Sequence, residues 1–305
     1  MVELADAVEM NGLSASAYAD LPSTAVPETY RIFIGKPALV QPGKKYPVIY
    51  VLDGNFLFAS VHAIQTGMTV TGELPQAFVV GIGYDTPELA MVSAKRTRDF
   101  SPTDGGPYSV MAPPDPRFQF GGAPAFLKFL TEELKPAIEE TYPVDPNNCS
   151  IVGSSFGGLF CSWLLLSRPE IFQRYILCSP SIWWHNERVW DWEEHHAAAH
   201  HDLSATVFVT AGGFETAERT KHQLMAVSRA GGPMKETADK MAAIYEQNGW
   251  PRMAEITPLF ADRLQSRDYP GLDICCHNMP DETHMSVWPG GISRGLRYIF
   301  ATWKL

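Results

Sequence analysis

The chain has 305 residues, of which 45% are hydrophobic and 11% aromatic, and 34 acidic side chains against 24 basic ones leave a net charge of −10. That apolar content sustains a large core and excludes a disordered chain. The negative balance argues against coating nucleic acid or docking on an anionic membrane, since both surfaces repel it at long range. One α/β unit spanning residues 1–305 suits this length.

The cysteines are Cys149, Cys161, Cys178, Cys275 and Cys276. Their odd number and the lack of a CxxC spacing predict free, buried thiols in a reducing compartment. The first twenty residues have neither a basic start nor a long apolar stretch, and no run approaches the roughly 18 apolar residues of a membrane span. The expectation is a cytoplasmic protein without a signal peptide.

In chain order, the first predicted strands are "YRIFI" at Tyr30, "PVIYVLD" at Pro47 and "AFVVGIGY" at Ala77. A segment dense in Gly and Pro follows at 99–122, long enough to act as a lid or binding loop. "APAFLKFLTEELKPAIEETY" puts Phe126, Phe129, Leu130, Leu134 and Ile138 at spacings of three and four, which predicts a helix over Ala123–Tyr142. Strand "CSIVG" leads through a glycine turn into helix "GGLFCSWLLLSRP". Strands "RYILCS" and "ATVFVTAG" come next, then a helical excursion at about 216–266. Strand "LDICCHN" and helix "GGISRGLRYIFATWKL" close the chain. Most strands are apolar at consecutive positions, as strands covered on both faces are. The alternation predicts an α/β fold with a mostly parallel central sheet flanked by helices on both faces.

The turn after "CSIVG" carries the chemistry. Gly153-Ser154-Ser155-Phe156-Gly157 is a G-x-S-x-G between a strand and a helix. Such a turn strains the serine and lifts it above the sheet edge, so Ser155 is the expected nucleophile and Ser154 a bystander. The Phe156 N–H, at the helix start, is the first expected oxyanion donor. The second is expected after "PVIYVLD", from the N–H of Asn55 or of Gly54. A serine hydroxyl needs a base, and the chain order Ser, acid, His points to His284 in "MPDETHMSVWPGG", with His277 as the alternative. The acid is expected after "ATVFVTAG", where Glu215 is the first candidate, Glu218 the second and a Ser–His dyad the alternative.

Three other clusters bear on the site. "RTRDFSPT" offers Arg96, Arg98 and Asp99; an Arg–Asp pair that pins the loop is the first expectation, and an arginine such as Arg98 that meets an acidic substrate is the alternative. "SIWW" offers Trp183 and Trp184, one of which is expected to line an apolar pocket. "EEHHAAAHHD" spaces His196 and His200 like a zinc pair, but its glutamates precede the histidines, so it reads as a solvated helix end and no metal is expected.

"VIYVLDGNFLF", "VVGIGY", "RTRDFSPT", "IVGSSFGGLF", "CSPSIWW" and "GLDICCHNMPDETHMSVWPGGISRGLRYIF" together resemble the esterase D-like, enterochelin-esterase-like branch of the α/β-hydrolases. The resemblance runs from about Val48 to the C-terminus. It implies the α/β-hydrolase fold and hydrolysis of carboxylic esters or thioesters without a cofactor, on trilactone siderophores, S-formylglutathione or simple acyl esters. The family nucleophile falls on Ser155, its base on His284 and its acid near Glu215, although some relatives work with a dyad. The implied partner is a small-molecule ester. An acyltransferase using the same residues is the alternative activity.

Overall fold

The computed structural model describes residues 6–111, 119–232 and 235–301. The chain forms β1 (Val8–Glu9), β2 (Ser16–Pro22), β3 (Thr29–Gly35), β4 (Tyr46–Val51), α1 (Gly54–Val70), β5 (Phe78–Tyr84) and α2 (Leu89–Phe100). Next come α3 (Ala123–Lys128), α4 (Lys135–Thr141), β6 (Val144–Ser154), α5 (Phe156–Ser167), β7 (Arg174–Cys178), α6 (Trp184–Glu187) and α7 (Val189–Ala199). The last elements are β8 (Ala205–Thr210), α8 (Ala217–Ala230), α9 (Lys235–Asn248), α10 (Met253–Gln265), β9 (Leu272–Cys276) and α11 (Val287–Ile299).

The nine strands join one sheet in the order β1-β2-β3-β5-β4-β6-β7-β8-β9. The pairs from β1 to β5 are antiparallel, and β5-β4-β6-β7-β8-β9 are parallel throughout. β4 shows why the runs are apolar at consecutive positions. Val48, Tyr50 and Leu52 face one core, Ile49 and Val51 face the other, and all five are fully buried. Leu57, Phe58 and Val61 of α1 and Ile292, Leu296 and Ile299 of α11 cover the second face, while α3, α5 and α10 contribute to the first. The central sheet therefore has helices on both sides, as expected of the α/β-hydrolase fold.

Some boundaries differ from the sequence expectation. β2 was not anticipated: its Ala, Asp and Pro residues are poor strand formers, and pairing with β3 makes it one. The helix expected over Ala123–Tyr142 is broken by a π turn at Phe129–Leu134, just ahead of Pro136, which has no N–H for the helical ladder. The Gly/Pro loop starts later than expected, because α2 runs on through Asp99 and Phe100. It contains a 3-10 turn at Gly106–Met111, and residues 112–118 of this loop lie outside the described residues. So do residues 233–234 of the helical excursion and residues 302–305 of the last predicted helix. Among the described residues no helix is long and apolar enough to cross a membrane.

Candidate active site

β4, β6, β7, β8 and β9 all end at the same edge of the sheet, and the loop after each contributes to one cluster. Open α/β sheets bind ligands at this carboxyl edge, where the strand order switches direction. Here the switch lies at β4, which has β5 on one side and β6 on the other.

Ser155 sits between β6 and α5 with φ 56° and ψ −119°, a conformation strained for an L residue. Its N–H donates to the Cys178 carbonyl at 3.0 Å, and its carbonyl accepts from Ser181 N–H at 3.0 Å and Leu159 N–H at 2.9 Å. The glycine spacing has a steric cause: a Cβ on Gly153 would lie 2.3 Å from the Gly157 carbonyl oxygen and 2.8 Å from Cys161 Sγ. Strand and helix touch there, so no side chain fits. Ser154 is buried with its hydroxyl unpartnered among the described residues, while Ser155 is half-buried.

Glu215 and His284 come together as the sequence order predicts. Glu215 Oε2 accepts from His284 Nδ1 at 2.7 Å. A carboxylate only accepts, so Nδ1 carries the hydrogen, which in the neutral tautomer of the ring leaves Nε2 its lone pair. The carboxylate is 3% exposed and the imidazole 33%, so the acid is dry and the base can reach a substrate. The Gly-Gly turn brings them into contact: Gly213 N–H donates to Met279 O at 2.7 Å and Phe214 N–H to Glu282 O at 3.0 Å, pinning the acid loop to the histidine loop. A Cβ on Gly212 would lie 2.3 Å from Glu282 O, and one on Gly213 2.4 Å from Pro280 O. Glu218 is exposed in the first turn of α8, and the His277 N–H extends the sheet ladder to Val209 O at 2.9 Å. Neither alternative residue meets the Glu215–His284 pair.

Among the described residues the Ser155 hydroxyl has no hydrogen bond to His284; it faces Ser181 Oγ at 3.4 Å. Catalytic hydrogen bonds that tighten only with substrate bound are common, so this does not remove Ser155 from the site.

Two helix N-termini flank the serine. Phe156 opens α5, and Gly54 and Asn55 open α1, so none of these three N–H groups has an intrahelical carbonyl. The Asp53 carboxylate, 3.3 Å from where a Cβ on Gly157 would stand, shows how closely the two termini approach. Asp53 holds a left-handed backbone at φ 56° and takes a bidentate pair from Arg96, at 2.6 and 2.8 Å. The Arg96 guanidinium also lies 5.6 Å from the Phe156 ring centre. Burial alone lowers the Arg96 pKa, but the Asp53 carboxylate more than offsets it and leaves the value above the ordinary one. The Asn55 side chain clamps Tyr84, accepting from its N–H at 2.8 Å and donating to its carbonyl at 3.0 Å.

The structure bears on three further expectations. Of the two readings of Arg98, the Arg–Asp pair is the one observed: Asp99 takes its Nε at 2.6 Å and its Nη2 at 3.1 Å, and Glu28 lies 3.4 Å away. Asp99, fully buried, also accepts from Tyr30 and Tyr84 hydroxyls at 2.8 and 3.1 Å, so the pair pins α2 to β3 and β5. Trp183 and Trp184 are 2% and 0% exposed, so neither offers a pocket wall; they pack in an aromatic cluster with Tyr108 and Phe156. Finally, "EEHHAAAHHD" is a solvated end only in part: Glu194, His195, His200, His201 and Asp202 are exposed, but two of its side chains are buried. His196 is 2% exposed, its ring nitrogens 3.0 Å from Leu166 O and 3.2 Å from Asp202 O, and Glu193 is 1% exposed in an ion pair with Arg267. No group of residues suited to a metal occurs among the described residues.

Sequence reasoning missed Ser179, Ser181 and the Asp53–Arg96 pair. The available signal was position: serines on either side of Pro180, directly after a strand ending at the site's edge.

Residues 23–249 match the family described as "Putative esterase". The chain is 32% identical over 279 residues to the ferri-bacillibactin esterase BesA of Bacillus subtilis, covering 88% of this chain and 84% of that protein. It is 28% identical over 271 residues to the siderophore triacetylfusarinine C esterase of Aspergillus fumigatus, covering 84% and 82%. Among solved structures, the BES protein from Bacillus cereus superposes with a TM-score of 0.74 at 28% identity, covering 95% of this chain and 97% of that one.

Proposed function

The chain belongs to this esterase family and is a carboxylic ester hydrolase, and from that premise we propose that it acts through a Ser155–His284–Glu215 triad on siderophore esters. The observation carrying the mechanism is the 2.7 Å contact between His284 Nδ1 and the buried Glu215 carboxylate, at the same sheet edge as the strained Ser155.

The sequence of events follows from the geometry. Substrate entry turns the Ser155 hydroxyl from Ser181 to His284 Nε2, which takes its proton as Oγ attacks the ester carbonyl. The oxygen of the tetrahedral intermediate is met by the Phe156 N–H and by the N–H of Asn55 or Gly54, each expected to supply roughly 3–4 kcal/mol. Glu215 stabilises the imidazolium. The intermediate collapses to the acyl-enzyme as the imidazolium protonates the departing alcohol. Water, deprotonated by the same His284, then releases the acid and restores Ser155.

The siderophore assignment rests on the two curated relatives, both siderophore esterases that match this chain over more than four-fifths of its length. Trilactone and hydroxamate siderophore esters, with and without iron, should be hydrolysed with a higher kcat/KM than p-nitrophenyl butyrate, followed by chromatography of the opened products. Turnover of p-nitrophenyl esters alone overturns the substrate part of the reading. Turnover only when an added alcohol accepts the acyl group overturns the hydrolase part in favour of an acyltransferase.

A further inference from the structure

Ser179, the first residue after β7, donates its hydroxyl hydrogen to Glu215 Oε1 at 2.5 Å, and we infer that Ser179 is a positioning residue of the reaction, acting through that carboxylate. The inference rests on the triad proposed above.

Glu215 divides its two oxygens. Oε1 accepts from the Ser179 hydroxyl and from the Gly212 N–H at 2.6 Å, which leaves Oε2 to His284 at 2.7 Å. With two donors on one oxygen, the carboxylate has a single orientation in which the other faces the imidazole. Ser179 is 0% exposed and Glu215 3%, so bulk water does not replace a lost donor.

The backbone at Ser179 points the same way. Its φ of 43° is a left-handed conformation that glycine or asparagine adopts more readily than serine. Serine accepts that strain here, and its hydroxyl is the feature that glycine lacks. The hydroxyl is also firmly placed: Ser179 N–H donates to Thr210 O at 2.6 Å, and Thr210 Oγ1 donates to His277 O at 2.6 Å, tying the ends of β7, β8 and β9 together. The same turn reaches the nucleophile, since Ser181 N–H donates to Ser155 O at 3.0 Å. The segment Ser179-Pro180-Ser181 thus links the acid to the backbone of the nucleophile, and Ser179 fixes the acid half.

Steady-state hydrolysis of p-nitrophenyl butyrate by five variants tests this: Ser179→Gly, which suits the backbone, Ser179→Ala, Glu215→Gln, Glu215→Ala, and the double variant Ser179→Gly with Glu215→Ala. Both Ser179 variants should lose about tenfold in kcat, the scale of one hydrogen bond to a charged group, with KM within about twofold of wild type and the Gly variant keeping its Tm. Adding Ser179→Gly to Glu215→Ala should change kcat by less than about twofold, because the carboxylate through which the hydroxyl acts is gone. Wild-type kcat in both Ser179 variants while Glu215→Gln is impaired overturns this inference alone, as does a full multiplicative loss in the double variant. Wild-type kcat in Glu215→Gln overturns the triad and this inference with it.

Discussion

At Ser155 the strained backbone, the steric closeness at Gly153 and the loose contact with Ser181 describe one device, a serine held rigidly in its backbone with its hydroxyl free to turn. Gly153→Ala forces a methyl against a helix carbonyl that has nowhere to move. Overpacking of this kind should lower unfolding stability by about 3 kcal/mol in urea titration, with activity falling alongside. Glu215→Gln keeps the shape of the acid but loses its charge and can present an N–H to Nδ1, favouring the wrong tautomer. It should lower kcat about 10³–10⁴-fold with little change in KM, measured on p-nitrophenyl butyrate. Ser155, Glu215 and His284 were legible in the sequence as candidates because a glycine motif and the order of strand ends mark them. Ser179 was not, because its role exists only where β7 and β8 lie side by side.

At the level of elements, α2 is the clearest case of a helix fixed by charge. Its C-terminal Arg98 and Asp99 reach Glu28, Tyr30 and Tyr84 across two strands. The Asp99 pKa is raised, with burial as the main cause, while Arg98 and the two tyrosine hydroxyls pull it back down. Removing one member of a buried pair strands the other, so Asp99→Ala should cost about 3–5 kcal/mol in chemical denaturation. Arg98→Met should lower stability and leave KM for ester substrates unchanged. An increase in KM at unchanged stability would return Arg98 to the substrate. The sequence showed strands reliably where β-branched residues run consecutively, as in β4, β5 and β8. It failed at β2, which depends on pairing with β3, and at the break before Pro136, where helical spacing continued across a π turn. The burial of His196 was hidden too, since residue type does not reveal that the end of α5 and Tyr269 pack against that face.

Over the whole molecule, a twisted parallel sheet gathers five loop residues at one edge from positions as far apart as Asp53 and His284, and that convergence is what the alternation of strand and helix implied. All five cysteines are free, and Cys149, Cys161 and Cys178 are buried. Burial pushes the Cys178 thiol up to about 12, with Glu215 adding to it, and burial together with Cys275 takes Cys276 to about 11. Thiolate is the reactive form and is scarce below such values, so at pH 8 the native protein should react slowly with a disulfide reagent, and all five thiols should appear together on unfolding. The measurement that bears most directly on the account is hydrolysis of p-nitrophenyl butyrate by wild type and Ser155→Ala side by side, with Tm recorded for both. The account predicts an active wild type and a variant of equal Tm whose kcat is lower by about 10⁴-fold or more. Equal turnover by the two proteins would contradict it and remove Ser155 as the nucleophile.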